Sequence, residues 1–184
     1  MAIIAVLITD DFEDPEYSQP AREFTLAGHD LVHLGLKEGS KVTGKRGVDS
    51  AVIDKAVGKA MVDDYDALFI PGGYSPDKLR AHREAVSFTR DFFTSGKPVF
   101  AICHGAQLLI TAEVLKGRKA TGWKTIAVDI KNTGADYMDK EVVEDGNLIT
   151  SRQPSDIPAF VKACLAMLLR VTQMHEEPAA AKSR

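Results

Sequence analysis

Residues 97–115, KPVFAICHGAQLLITAEVL, decide the fold. The apolar run Pro98 to Ile102 reads as a short buried strand, and Gly105 to Leu115 as a helix carrying Leu108, Leu109, Ala112 and Leu115 on one side. A strand running directly into a helix is the unit of a parallel sheet. Cys103 and His104 stand at the joint, where any small residue would make the turn.

Outward from this joint the alternation repeats. Ile3 to Ile8, Leu31 to Leu36 and Ala67 to Ile70 read as strands. Pro15 to Ala27, with Asp14 as N-cap and Gly28 past its end, and Val86 to Ser95, stopped by Gly96, read as helices. Val42 to Asp54 alternates weakly around Gly44 and Gly47, which predicts a hairpin outside the main sheet. Towards the C-terminus a helix is expected over Thr125 to Asn132, strands over Glu141 to Glu144 and Leu148 to Ser151, and a final helix capped by Ser155. That helix carries the stripe Ile157, Phe160, Val161, Cys164, Leu165 and Leu168, which makes Cys164 a small buried hydrophobe. The expectation is a single α/β domain over residues 1–172 with a mostly parallel sheet covered on both faces, followed by a disordered tail over 173–184.

Composition narrows the function. With 23 Lys and Arg against 26 Asp and Glu, the net charge of -3 gives no surplus for gripping phosphate backbones. No apolar segment approaches membrane-spanning length, and the opening MAIIAVLI runs into Asp10 and Asp11 as a first strand does. Two cysteines are too few for a disulfide framework, which fits a reducing cytoplasm.

Ligands of open α/β sheets bind beyond the carboxyl ends of the strands. Three segments lie there: DDFED after the first strand, PGGY after the third and CH after the fourth. At a helix start, orphan N–H groups and the positive dipole end favour a thiolate, so Cys103 is the candidate nucleophile. A sharp turn would present it as the serine of a nucleophile elbow is presented. The PGG turn offers backbone N–H groups to an oxyanion, and Glu13, by position, is a candidate proton carrier. GSKVTGKR, residues 39–46, is one residue short of a phosphate-binding P-loop, places Arg46 where the metal-binding hydroxyl would stand and has no helix after it, so it reads as a hairpin turn. C-x-G-x-Q also resembles a glutamine amidotransferase elbow, but the His-x-Glu pair that follows it in the chain, His175 and Glu177, falls in the expected tail. His29, His33 and His82 show no metal-ligand spacing.

FED, PGGYSPDKLR, KPVFAICHGAQLLI and TSRQPSDIPAF together resemble the ThiJ/PfpI family, in its protease-like and deglycase-like branch, over Ile3 to about Leu169. The resemblance implies a flavodoxin-like three-layer sandwich with Cys103 as nucleophile and His104 beside it. It implies Glu13 as a protonated carboxyl touching the sulfur, and Gly73 and His104 as oxyanion donors. Close members carry Pro where this chain has Ala106, and protease-like members a Glu where it has Asp77. The activity implied is cofactor-free and metal-free attack on 2-oxoaldehydes such as methylglyoxal, or on their early adducts. The alternatives are a peptidase using Cys103, His104 and Asp77, and a redox sensor or holdase acting through Cys103 oxidation. A homo-oligomer is expected, with Asp77 facing His104 of a neighbouring subunit.

Overall fold

Strand β1 (Ile3–Leu7) is apolar at every position because both of its faces are covered. Ile4 and Val6 enter one core, and Ala5 and Leu7 enter the other. In this computed structural model, which describes residues 1–176, the chain continues through α1 (Asp14–Leu26), β2 (Asp30–Gly35), β3 (Lys41–Thr43), β4 (Ser50–Val52), β5 (Lys55–Ala56) and β6 (Ala67–Ile70). Then come α2 (Ser75–Leu79), α3 (Arg83–Thr94), β7 (Val99–Ile102), α4 (Ala106–Thr111), β8 (Lys119–Ala120) and α5 (Ala127–Asn132). The last elements are β9 (Asp136–Tyr137), β10 (Val142–Asp145), β11 (Leu148–Ser151) and α6 (Ile157–Glu176).

The main sheet has seven strands in the order β10-β11-β7-β6-β1-β2-β5. Only β10 is antiparallel to its neighbour. Phe24 of α1 and Phe160 of α6 pack on Phe69 and Phe100, while Phe88 and Phe92 of α3 and Leu108 and Leu109 of α4 cover the opposite face. This is the flavodoxin-like α/β sandwich that the sequence led us to expect. The chain leaves β1 for β2 on one side and returns to β6 on the other, so a crevice opens beyond β1 and β6. The loops after β1, β6 and β7 are therefore neighbours.

The apolar stripe of α6 lies in the core as expected, with Cys164 wholly buried. β3 and β4 form the expected hairpin outside the main sheet. Several boundaries differ. Asp14, expected as the N-cap of α1, is its first helical residue, and Glu13 stands at the cap position. The helix after Cys103 opens with a 3-10 turn over Cys103–Gly105 and stops at Thr111, and Glu113 beyond it turns to a φ of 59°. Helix α3 begins at Arg83, three residues before the expected start. Ser155 is not an N-cap, because a 3-10 turn over Pro154–Asp156 leads into α6. Helix α6 also runs on through residues 173–176, placed in the tail by sequence, since no Gly or Pro interrupts the chain before Pro178. The rest of that expected tail, 177–184, lies outside the described residues.

Candidate active site

Ile102 ends β7 in extended geometry, with φ -122° and ψ 143°, and Cys103 then adopts φ 60°. A left-handed backbone at a non-glycine residue stores of order 1–3 kcal/mol. The reversal lifts the thiol off the sheet into the crevice, where Cys103 is 8% exposed. Its carbonyl accepts the Trp123 N–H at 3.3 Å, tying the far wall of the site to the elbow.

The PGG turn lies against this elbow. Gly73 has φ +81° and bridges Phe12, flanked by the Glu13 N–H donating to Gly72 O at 3.1 Å and the Tyr74 N–H to Asp11 O at 2.8 Å. A Cβ on Gly73 would overlap the backbone of Phe12 and Glu13. One on Gly72 would meet the Glu16 carboxyl and lie 2.8 Å from Cys103 Cβ. The turn thus needs glycine for close approach as well as for backbone angle. Among the described residues no acceptor takes the Gly73 N–H, and the His104 amide faces the Cys103 sulfur.

The acids of DDFED each have a structural partner. Asp10 accepts the Thr43 N–H at 2.9 Å, and Asp11 pairs with Lys78. Asp14, buried, accepts the amides of Arg46, Val48 and Asp49 at 2.9, 3.0 and 2.9 Å. Burial works against its charge, but these amides outweigh it and hold the carboxyl below its ordinary range. Glu13 pairs with Lys45 and with Arg46 Nη2, the latter at 3.0 Å. This corrects the expectation for Glu13: its carboxylate lines the cleft but is taken up by two cations.

The carboxyl against the sulfur belongs to Glu16, in the first turn of α1. Glu16 is wholly buried, and the groups that face its carboxyl are the Cys103 thiol and the Gly72 amide. Burial pushes it up to about 8, opposed by the Cys103 thiol, the Lys45 charge and the Gly72 amide and reinforced by the Glu13 charge. Burial likewise pushes the Cys103 thiol up, and a charge on Glu16 adds to this, with only the His104 amide among its larger influences favouring the thiolate. The expected helix-start acidification of Cys103 is therefore overridden by desolvation. Glu16 and Cys103 form a coupled pair that holds a proton between them above about pH 8 and two below it.

His104 Nδ1 lies 3.4 Å from Cys103 Sγ. Burial and the Lys45 cation hold this imidazole below its ordinary range, so it is neutral at pH 7. Asp77 raises it by charge alone, because the Asp77 carboxylate bonds to Arg80 at 2.6 Å in the first turn of α2. Within one chain Asp77 does not complete a Cys-His triad. Nor is it a helix cap, since no side-chain cap bond forms at that end.

These groups line a cleft of about 290 Å³ together with Lys45, Tyr74, Trp123 and Pro154. Arg152 positions the Pro154 segment through Asp156 and Asp139, at 2.8 and 2.7 Å. The DJ-1/PfpI family model matches residues 2–167. The chain belongs to the DJ-1/PfpI family. It is 53% identical over 166 residues to protein/nucleic acid deglycase 2 of Escherichia coli K12, covering 90% of this chain and 96% of that protein. It is 52% identical, with the same coverage, to general stress protein 18 of Bacillus subtilis 168. A two-domain Anabaena variabilis protein with DJ-1/ThiJ/PfpI-like and ferritin-like domains superposes with a TM-score of 0.89 at 42% identity, over 91% of this chain. This chain spans about half of that one, 48%.

In this DJ-1/PfpI chain, sequence reasoning missed Glu16, Lys45, Trp123 and Pro154. For Glu16 a signal existed. It lies on the buried face of α1 with Pro20 and Phe24, one and two turns on, and an acid on an apolar stripe is out of place unless it has work to do. Lys45 belongs to a hairpin whose closure over the site no local pattern announces.

Proposed function

We propose that the protein is a cysteine-dependent deglycase, acting on 2-oxoaldehydes such as methylglyoxal or on their early adducts with thiols and amines. The observation that carries this reading is the Cys103 thiol lying against the buried, largely protonated Glu16, with the Gly73 and His104 amides beside it. The deglycase named among its relatives, at 53% identity, supports it.

The chemistry follows from the pair. Glu16, when ionised, takes the thiol proton as sulfur adds to the aldehyde carbon, and the Gly73 and His104 amides hold the resulting oxyanion. Glu16 returns that proton to the oxygen, then removes the former aldehyde C–H proton and delivers it to the adjacent carbon, while the hydroxyl proton passes from the first oxygen to the neighbouring carbonyl oxygen. One carbon is oxidised and its neighbour reduced within the same molecule, leaving a thioester of a 2-hydroxy acid. Water cleaves the thioester, releasing the acid and restoring the thiol. On an adduct, the thiol or amine leaves as Cys103 takes its place at the same carbon. Each step uses side chains, these backbone amides and water.

The same reading includes a homo-oligomer in which Asp77 reaches His104 of a neighbouring subunit. Its support is that Asp77 is half exposed and unbonded to the histidine of its own chain. Among the described residues no helix is long and apolar enough to cross a membrane, which fits the cytoplasmic setting of this reading.

The deciding assay is lactate production from methylglyoxal without glutathione. Wild type is expected to form lactate and Cys103→Ala none. Absence of lactate, and of amine or thiol release from adducts, would reject the reading.

A further inference from the structure

We infer that Lys45 is a specificity-determining residue that receives an anionic group of the substrate, a carboxylate or phosphate a few atoms from the carbonyl that Cys103 attacks. The inference rests on the proposed reaction, and it starts from how the β3–β4 loop is built. Three amides of this loop converge on buried Asp14, the Lys45 N–H donates to Phe12 O at 2.9 Å, and Thr43 O accepts the Asp11 N–H at 2.8 Å. The loop is thus fastened to the segment that carries Glu13 and Glu16, and it sets the Lys45 side chain in the cleft wall.

Glu13 does not require Lys45 for neutralisation, since Arg46 also pairs with it. An ammonium has three donors, and among the described residues Glu13 is the one acceptor given to that of Lys45. Two cations facing one carboxylate leave a positive surplus. No other lining group cancels it near neutral pH, because Glu16 is mostly protonated and His104 is neutral. The Lys45 charge reaches the reacting groups, for it is among the influences that lower both Glu16 and His104. Lys124 adds a further cation 5.5 Å from the centroid of the Trp123 ring. Methylglyoxal fills only a fraction of a cleft of about 290 Å³, so the remainder suits the far end of an adduct. A partly desolvated cation beside that space favours an anion there.

The test uses two methylglyoxal hemithioacetals that differ only in charge, those of N-acetylcysteine and of its amide. Wild type is expected to prefer the carboxylate adduct in kcat/KM by about tenfold, on the scale of one charge-assisted hydrogen bond. Lys45→Gln should bring that ratio close to one, and Lys45→Arg should keep most of it. A ratio near one in wild type, or an unchanged ratio in Lys45→Gln, overturns the inference. A second arm does not depend on turnover. The chain has a single tryptophan, Trp123, in the cleft wall. Inorganic phosphate titrated into Cys103→Ala at constant ionic strength should change its fluorescence saturably, and adding Lys45→Gln should weaken binding about tenfold. Lys45-dependent phosphate binding without turnover of either adduct would keep the anion site and reject the reaction. Turnover with no effect of Lys45 in either arm would do the reverse.

Discussion

The Glu16 carboxyl lies against the Cys103 thiol inside the protein, at a point where Gly72 leaves no room for a Cβ. Two groups that both lose hydration on burial are thus forced to titrate together, and the proton they exchange is the one the proposed chemistry needs.

The first consequence is a pH dependence. Below about pH 8 both members of the pair are protonated, and above it one proton has left. The rate of Cys103 alkylation by iodoacetamide should therefore rise through a step near pH 8. In Glu16→Gln that step should vanish, leaving a single rise at higher pH, because only the desolvated thiol can then lose a proton. Persistence of the step would mean that Cys103 titrates alone.

Turnover should sort the acids and the thiols. Glu16→Gln is expected to lower kcat by about a hundredfold or more, the scale of a lost proton carrier, and Glu13→Gln by clearly less. Cys103→Ala should be inactive, whereas Cys164→Ala should turn over near wild type because Cys164 is packed in the α6 core. A larger loss from Glu13→Gln than from Glu16→Gln would return the proton-carrying role to Glu13.

Asp14 should act on stability. Replacing it with Ala strands three loop amides and is expected to destabilise the fold by about 2–3 kcal/mol in urea unfolding at neutral pH. Its folded-state carboxyl is held below the ordinary value, so this contribution is complete above that value and is lost as the pH falls through the lowered one. The difference between wild type and Asp14→Ala should accordingly shrink in strong acid. A difference that stays constant down to that range would remove the charge from the explanation.

Asp77 tests the shared site. Cys103→Ala and Asp77→Asn chains, each impaired alone, should regain activity when refolded together, because a mixed pair restores one complete site. Full activity of Asp77→Asn alone, or no rescue on mixing, would leave Asp77 as the partner of Arg80 in its own helix.

The legible parts of the sequence were those governed by local rules. Buried strands such as Ala67–Ile70 announced themselves as apolar runs, and the α6 stripe by its period. The strand-to-helix joint placed Cys103 because a turn there has few geometries. Choosing between Glu13 and Glu16 was beyond such rules. The two sit three residues apart, and what separates them is the approach of a distant hairpin, which supplies Lys45 and Arg46 to the first and leaves the second against the Cys103 thiol. The thiol's acidity escaped for the same reason, since a helix start pointed downwards while burial, a property of the whole fold, pushed up.

Infrared difference spectroscopy between wild type and Glu16→Gln measures directly whether Glu16 is a protonated carboxyl at neutral pH beside Cys103. Wild type should show a protonated-carboxyl band at pH 7 that is absent from the variant and disappears with a midpoint near pH 8. A band that is missing at pH 7, or that titrates in the ordinary range of glutamate near pH 4.3, would contradict it.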